Sequence, residues 1–183
     1  HTGDDMSPSD GTALVTIADI RDAEQRVRPV LRSTPTSTID AVSSLAGCDV
    51  RLKEEQRQRT GSFKIRGAGN CITPLARDAS VGAAPVGNEA EWVPLAAALC
   101  GLPATIFMPE SASLPKIKAT QDYGATVRLG GAALDDAVVA AKEFAAESGS
   151  VFVPPFDDRL VIAGQGTLGL EIVTDWPEVD AII

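Results

Sequence analysis

Apolar and polar positions alternate between two periods along this chain. Runs that repeat every three to four residues predict helices, and short wholly apolar runs predict strands buried on both faces. Thr16 is placed to cap a helix carrying Ile17, Ile20, Val27 and Val30/Leu31 on one stripe, with Asp19 in the capping-box position. Pro29 lies near the end of that helix and Pro35 closes it. A short helix is predicted over 38–46, with Gly47 at its C-terminal turn, followed by a strand over 48–52. Ser62 is a candidate cap for a helix running to about residue 75.

From there the chain settles into a strand–helix rhythm. Strands are predicted over 81–86, 104–108, 126–129, 151–153 and 179–183. Helices are predicted over 88–100, 115–123, 132–148 and 159–176, with Gly101, Gly124, Gly149 and Pro177 as their stops. Strands recurring about every 25 residues with helices between them imply parallel pairing through right-handed crossovers, hence an α/β fold. The last strand has no following helix to cover it, so the sequence reads as a fragment or as one completed by another polypeptide. Residues 1–15 are polar with Gly and Pro and read as a disordered leader.

Composition narrows the choice of function. Hydrophobic residues make up 44% of the 183 and aromatics 4%, which suits tightly packed α/β layers. The net charge is −9 with no Lys/Arg stripe, arguing against nucleic acid or an anionic membrane surface as partner. No apolar run approaches the roughly 18–20 residues of a membrane span, and no signal peptide precedes the first helix. Cys48, Cys71 and Cys100 are widely separated, lack metal-ligand spacing and read as buried free thiols of a reducing cytoplasm. The one histidine is His1, so a Ser–His–Asp or Cys–His mechanism has no base to use.

The segment with the clearest chemical promise is Thr60-Gly61-Ser62-Phe63-Lys64-Ile65-Arg66-Gly67-Ala68. A lysine at a helix start sits against the positive end of the helix dipole, a mildly unfavourable place that favours a neutral, nucleophilic amine. Taken alone, the position is explained more readily by a solvated surface lysine.

The surrounding pattern changes that balance. The run resembles the cofactor-lysine motif of the fold-type-II pyridoxal-phosphate enzymes that include threonine dehydratase, serine dehydratase and serine racemase. The likeness continues through Gly87-Asn88, Met108-Pro109-Glu110, Tyr123-Gly124-Ala125, Pro154-Pro155-Phe156-Asp157-Asp158 and Ala163-Gly164-Gln165-Gly166-Thr167-Leu168-Gly169-Leu170-Glu171, in order over residues 16–183.

The resemblance implies open parallel sheets with flanking helices, of the tryptophan synthase β kind. Residues 55–152 would form the small α/β domain, and 16–54 with 153–183 an incomplete large cofactor domain. Lys64 would hold pyridoxal 5'-phosphate covalently and later move the substrate's α-proton. Phe63 would pack on the cofactor ring and Asn88 would hydrogen-bond its 3-hydroxyl oxygen. Ser62 and the loop Pro85, Val86, Gly87 and Asn88 would receive the substrate carboxylate. The implied activity is conversion of L-threonine to 2-oxobutanoate and ammonia, or of serine to pyruvate. A cytoplasmic homo-oligomer serving isoleucine biosynthesis is implied with it. A serine racemase, or a catalytically silent relative with a binding or regulatory role, stays open as an alternative.

This sequence departs from the family pattern in that loop. The family's Ser-x-Gly-Asn-His is here Pro85-Val86-Gly87-Asn88-Glu89, and Trp92 stands where the family has a small residue. Proline offers no N–H, and Glu89 adds negative charge beside a carboxylate site. A diverged but working loop and a weakened or lost activity both fit. The family's Gly-rich phosphate loop and the group facing the pyridine nitrogen come later than these residues, so weak cofactor binding is expected of this chain alone.

Two further patterns invite other chemistry. Gly164-Gln165-Gly166-Thr167-Leu168-Gly169 satisfies a dinucleotide fingerprint in spelling, yet ten residues separate it from the strand it should follow. Close helix–sheet packing explains its glycines better. Asp157-Asp158 and Asp135-Asp136 read as a helix cap and a solvated helix face, rather than as metal ligands.

Overall fold

The computed structural model describes residues 14–84 and 91–183. A four-stranded parallel sheet runs in the order β5-β4-β3-β6, comprising β3 (Val81–Ala83), β4 (Ala104–Met108), β5 (Thr126–Leu129) and β6 (Val151–Val153). The predicted α/β architecture with parallel crossovers is the one observed. Side chains alternate across the sheet. Val81, Ala83, Ile106, Met108 and Val153 face a core built with α3 (Ile65–Ile72) and α4 (Trp92–Cys100). Ala84 and Phe107 face Ala137 and Ala141 of α6 (Leu134–Ser148).

The predicted stops hold where their chemistry is local. Gly47, Gly101 and Gly149 take the left-handed conformation that ends α2 (Asp40–Ala46), α4 and α6. α5 (Leu114–Asp122) is followed by Tyr123 and then Gly124, whose φ is +83°. Thr16 and Asp19 form the predicted capping box of α1 (Ile17–Val27). Asp158 caps α7 (Arg159–Asp175) by accepting from the N–H groups of Leu160 and Val161.

Other expectations are corrected. Residues 179–183 form no strand and are mostly exposed, because no neighbouring strand among the described residues offers them a ladder. The strand predicted over 48–52 is β2 (Arg51–Lys53), and it pairs antiparallel with β1 (Thr36–Thr38), a strand too short and polar to show periodicity. α3 occupies only Ile65–Ile72 of the predicted 62–75. Of the predicted α1 stripe, Val27 and Val30 are buried as expected, but Ile17 is exposed and Ala23 turns inward. Cys48 is exposed, whereas Cys71 is buried, which raises its thiol pKa to about 12, and Cys100 lies between the two. Asp135 and Asp136 belong to the first turn of α6, where the Asp136 carboxylate accepts from the N–H groups of Ala132 and Ala133. The leader expected over 1–15 falls, except for Leu14 and Val15, outside the described residues.

The Gly-rich run lies inside α7, and its partners are helices rather than the sheet. A Cβ on Gly164 would stand 2.5 Å from the Arg66 carbonyl oxygen and 2.7 Å from the Gly67 Cα. One on Gly166 would meet the Ile20 side chain at 2.7 Å. α7 therefore presses against the backbone of α3 at Gly164 and against the Ile20 side chain of α1 at Gly166, while Gly169 has open space beside it. Among the described residues, no helix is long and apolar enough to cross a membrane.

Gly164→Ala should destabilise the protein by about 1–3 kcal/mol, the cost of overpacking a rigid interface, because backbone rather than a movable side chain blocks the methyl; urea unfolding measures it, and an unchanged midpoint would contradict the packing described. The Asp19 carboxyl is lowered from 3.8 to about 2 by hydrogen bonds from the Thr16 hydroxyl, the Thr16 N–H and Arg159. Its contribution to stability is therefore complete above about pH 4 and fades as pH falls toward 2. Comparing urea midpoints of the native chain and Asp19→Asn across that range should show their difference shrinking with acidification.

Candidate active site

The segment leading to Lys64 is fixed by side chains that hold loop backbone. Gln58 is buried; its amide nitrogen donates to the Arg32 carbonyl at 2.7 Å, and its amide oxygen accepts from the Arg32 N–H at 2.8 Å and the Arg59 N–H at 3.0 Å. Gly61 turns the chain with φ +71°, a left-handed conformation that glycine adopts without strain. Ser62 comes next, and its hydroxyl accepts from the Lys64 N–H at 3.4 Å. It is not the helix cap that was expected. Lys64 itself occupies the N-cap position, already in right-handed helical geometry, and no side chain caps the helix there.

Lys64 is half-buried at the mouth of a helix whose eight residues are all buried. Phe63, immediately before it, leaves 40% of its surface exposed. An amine, an uncovered aromatic ring and the Ser62 hydroxyl thus lie on consecutive residues at the end of a helix that presents its N-terminus. This donor set fits a cofactor that carries an aldehyde and a flat apolar ring: the amine can bond covalently to the first, and the phenyl surface can cover the second. Pro85, Val86, Gly87 and Asn88 lie outside the described residues. Trp92 opens α4 just after them and is buried, its indole N–H lacking a hydrogen-bond partner among the described residues.

Beneath Lys64 lies a charge network that the sequence reading passed over. Arg66 is fully buried. Its Nε donates to Glu55 at 2.9 Å, Nη1 to Thr167 at 3.2 Å and Glu171 at 2.7 Å, and Nη2 to Glu55 at 2.8 Å and Glu171 at 3.0 Å. These five bonds use all five guanidinium hydrogens. Burial disfavours its charge, but the hydrogen bonds to Glu55 and Glu171 more than offset that and raise the pKa. Burial likewise works against the Glu171 carboxylate, and the bonds from Arg66 and Lys53 overcome it and hold it below its ordinary range.

The network runs on through Lys53, whose ammonium reaches Glu171 at 2.9 Å, Asp175 at 3.1 Å and the Thr34 carbonyl at 2.8 Å. Thr34 donates its hydroxyl to Glu55, and Thr36 to Asp175. Residues two apart on β2 share a face, so Arg51 is aimed the same way and lies over the Trp176 ring at 4.3 Å. A charged residue inside an apolar helix, as Arg66 is in Ile65–Ile72 and Glu171 is in α7, was the available sequence signal, because such residues are seldom fully buried unless paired. A cavity of about 160 Å³ lies behind this network, lined by Val27, Leu31, Thr167 and Glu171 among others, and Lys64 is not part of its wall.

Fold and lysine together define a class. The chain belongs to the pyridoxal-phosphate dependent enzyme family, whose profile matches residues 27–183. Within that family it is 44% identical over 173 residues to the L-threonine ammonia-lyase of Thermotoga maritima, covering 93% of this chain and 43% of that protein. It is 45% identical to the L-threonine ammonia-lyase of Geobacter sulfurreducens over 90% of this chain and 42% of the relative. Among solved structures, maize serine racemase matches with a TM-score of 0.85 at 32% identity, over 92% of this chain and 52% of that one. The processed form of threonine deaminase isoform 2 from Solanum lycopersicum matches with a TM-score of 0.81 at 35% identity, over 88% and 48%. The chain therefore spans about half the length of the relatives it matches.

Replacing Arg66 by Met should cost on the order of 3–5 kcal/mol, since Glu55 would be left buried without its cation and Glu171 with Lys53 alone. Urea titration followed by circular dichroism reads the loss. A change under about 1 kcal/mol would show that the clamp is not a buried charge system.

Proposed function

We propose that this protein is a pyridoxal-phosphate-dependent threonine ammonia-lyase, converting L-threonine to 2-oxobutanoate and ammonia. The observation that carries the reading is the half-buried amine of Lys64 at the mouth of α3 beside the uncovered Phe63 ring, within a chain 41–45% identical to threonine ammonia-lyases and dehydratases. In this reading Lys64 and Phe63 hold the cofactor with Asn88, which meets its 3-hydroxyl oxygen. Ser62 and the backbone of Pro85, Val86, Gly87 and Asn88 receive the substrate carboxylate.

Bound there, the cofactor supplies an electron sink that lets the α-proton leave and the β-hydroxyl be expelled. The Lys64 amine then takes that proton at Nζ, and the buried packing of α3 keeps the amine at one position while it does so. Residues 55–152 are assigned to the small domain of the fold and the flanking segments to the large one. The reading carries a cytoplasmic homo-oligomer and a place in isoleucine formation with it.

The loop favours one other reading. Pro85 offers no N–H to a carboxylate, and Glu89 sets a negative charge near where a carboxylate would bind, so a cofactor-binding but catalytically silent protein is the alternative.

Titrating the protein with pyridoxal phosphate should produce a visible absorption band that Lys64→Ala lacks. L-threonine should then yield 2-oxobutanoate, and Lys64→Ala should reduce that turnover to background. A Lys64-dependent band without product from threonine or serine selects the silent reading, and release of D-serine from L-serine selects a racemase. The threonine ammonia-lyase reading is falsified if no Lys64-dependent band forms at saturating pyridoxal phosphate in a protein that also carries the family's phosphate loop.

A further inference from the structure

We infer that Arg66 is a positioning residue for Lys64: by fastening the first turn of α3 to α7 and to the segment around Glu55, it sets where the lysine amine stands. The inference rests on the cofactor reading of Lys64 and deepens it.

The two side chains are two residues apart on a helix and so point to different faces. Arg66 cannot act on the amine directly; any influence passes through the backbone they share. The Lys64 side chain does not cap the helix it opens, and the Lys64 N–H donates to the Ser62 hydroxyl over 3.4 Å. A helix end of this kind frays unless something else holds it.

Arg66 supplies the hold. Its guanidinium is bidentate to Glu55 on one side and to Glu171 on the other, with Thr167 between. Thr167 in turn donates its hydroxyl to the Gly164 carbonyl at 2.7 Å, at the point where α7 meets the Arg66 backbone most closely. The first turn of α3 is therefore gripped at both the side chain and the main chain. Glu55 lies nine residues before Lys64 and Glu171 a hundred and seven after it, so the clamp ties together the approach to the site and the helix behind it. Lysine at position 66 would keep one positive charge but could not fork to two carboxylates at once. A shift of the amine by about 1 Å is enough to slow a reaction that depends on its placement by orders of magnitude.

The test uses the full chain and follows the visible band formed with pyridoxal phosphate. Borohydride reduction and peptide mapping locate the modified lysine. Arg66→Lys and Glu171→Gln are compared with native protein, and with Asp19→Asn as a variant that loses an ion pair away from the clamp. All four are measured well below their melting temperatures, with circular dichroism confirming the fold. The expected result is band formation at Lys64 slowed roughly tenfold or more in both clamp variants, with a displaced pH midpoint of the band, and unchanged in Asp19→Asn. Should Arg66→Lys not fold, Glu171→Gln carries the same comparison. A folded clamp variant that modifies Lys64 at the native rate and with the native pH profile overturns the inference. If native protein itself forms no adduct at Lys64, the cofactor reading falls and this inference falls with it.

Discussion

One guanidinium holds together the parts of this molecule that matter for its chemistry. Arg66 is withdrawn from water and donates to two carboxylates and a hydroxyl drawn from two other segments. Burying Arg66 and Glu55 and partly burying Glu171 is costly, and the arrangement is tolerable because every guanidinium hydrogen has an acceptor and Glu171 shares its charge with Lys53. What such a network confers is a fixed relative position. Two helices and a short antiparallel strand pair are registered against one another by these directional bonds, in addition to the apolar packing of Val161 on α3.

Glycine makes that registration possible. The clamp reaches from α3 to α7 only because their backbones come together where Gly164 and Gly67 face each other. A side chain at position 164 would run into the backbone of Arg66 and Gly67, whereas one at position 67 would meet the side chains of Gln165 and Val161. The run that spells a dinucleotide fingerprint is thus part of the same structural device as the arginine. Its glycines serve close approach, but between helices in the middle of α7 rather than around a phosphate at a helix start.

The parallel sheet has a more general task. It carries the helices that flank the candidate site, and its two faces are packed by different helices, α6 on one side and α3 with α4 on the other. Lys64 stands at the open end of α3, the one helix that both lines the sheet's core and grips α7. Membership of the pyridoxal-phosphate dependent enzyme family gives that position a chemical meaning. The chain covers about half the length of its relatives, and the Arg66 network packs directly behind the helix that Lys64 opens.

Local chemistry was legible in the sequence. The Thr16–Asp19 capping box, the glycine stops at 47, 101 and 149, and the strands Ala104–Met108, Thr126–Leu129 and Val151–Val153 each depend on residues close together in the chain. The lysine motif was legible for the same reason, being nine consecutive residues. The start of α3 was read two residues early because Ser62 has the chemistry of a cap, and only the path of the chain through Gly61 makes Lys64 the residue at which the helix opens. β1 escaped notice because a three-residue strand is defined by its partner and not by its own pattern. The clamp escaped because the partners of Arg66 lie 11, 101 and 105 residues away from it. A buried charge is stabilised by where its partners end up, and that is decided when the helices pack, not when the residues are strung together.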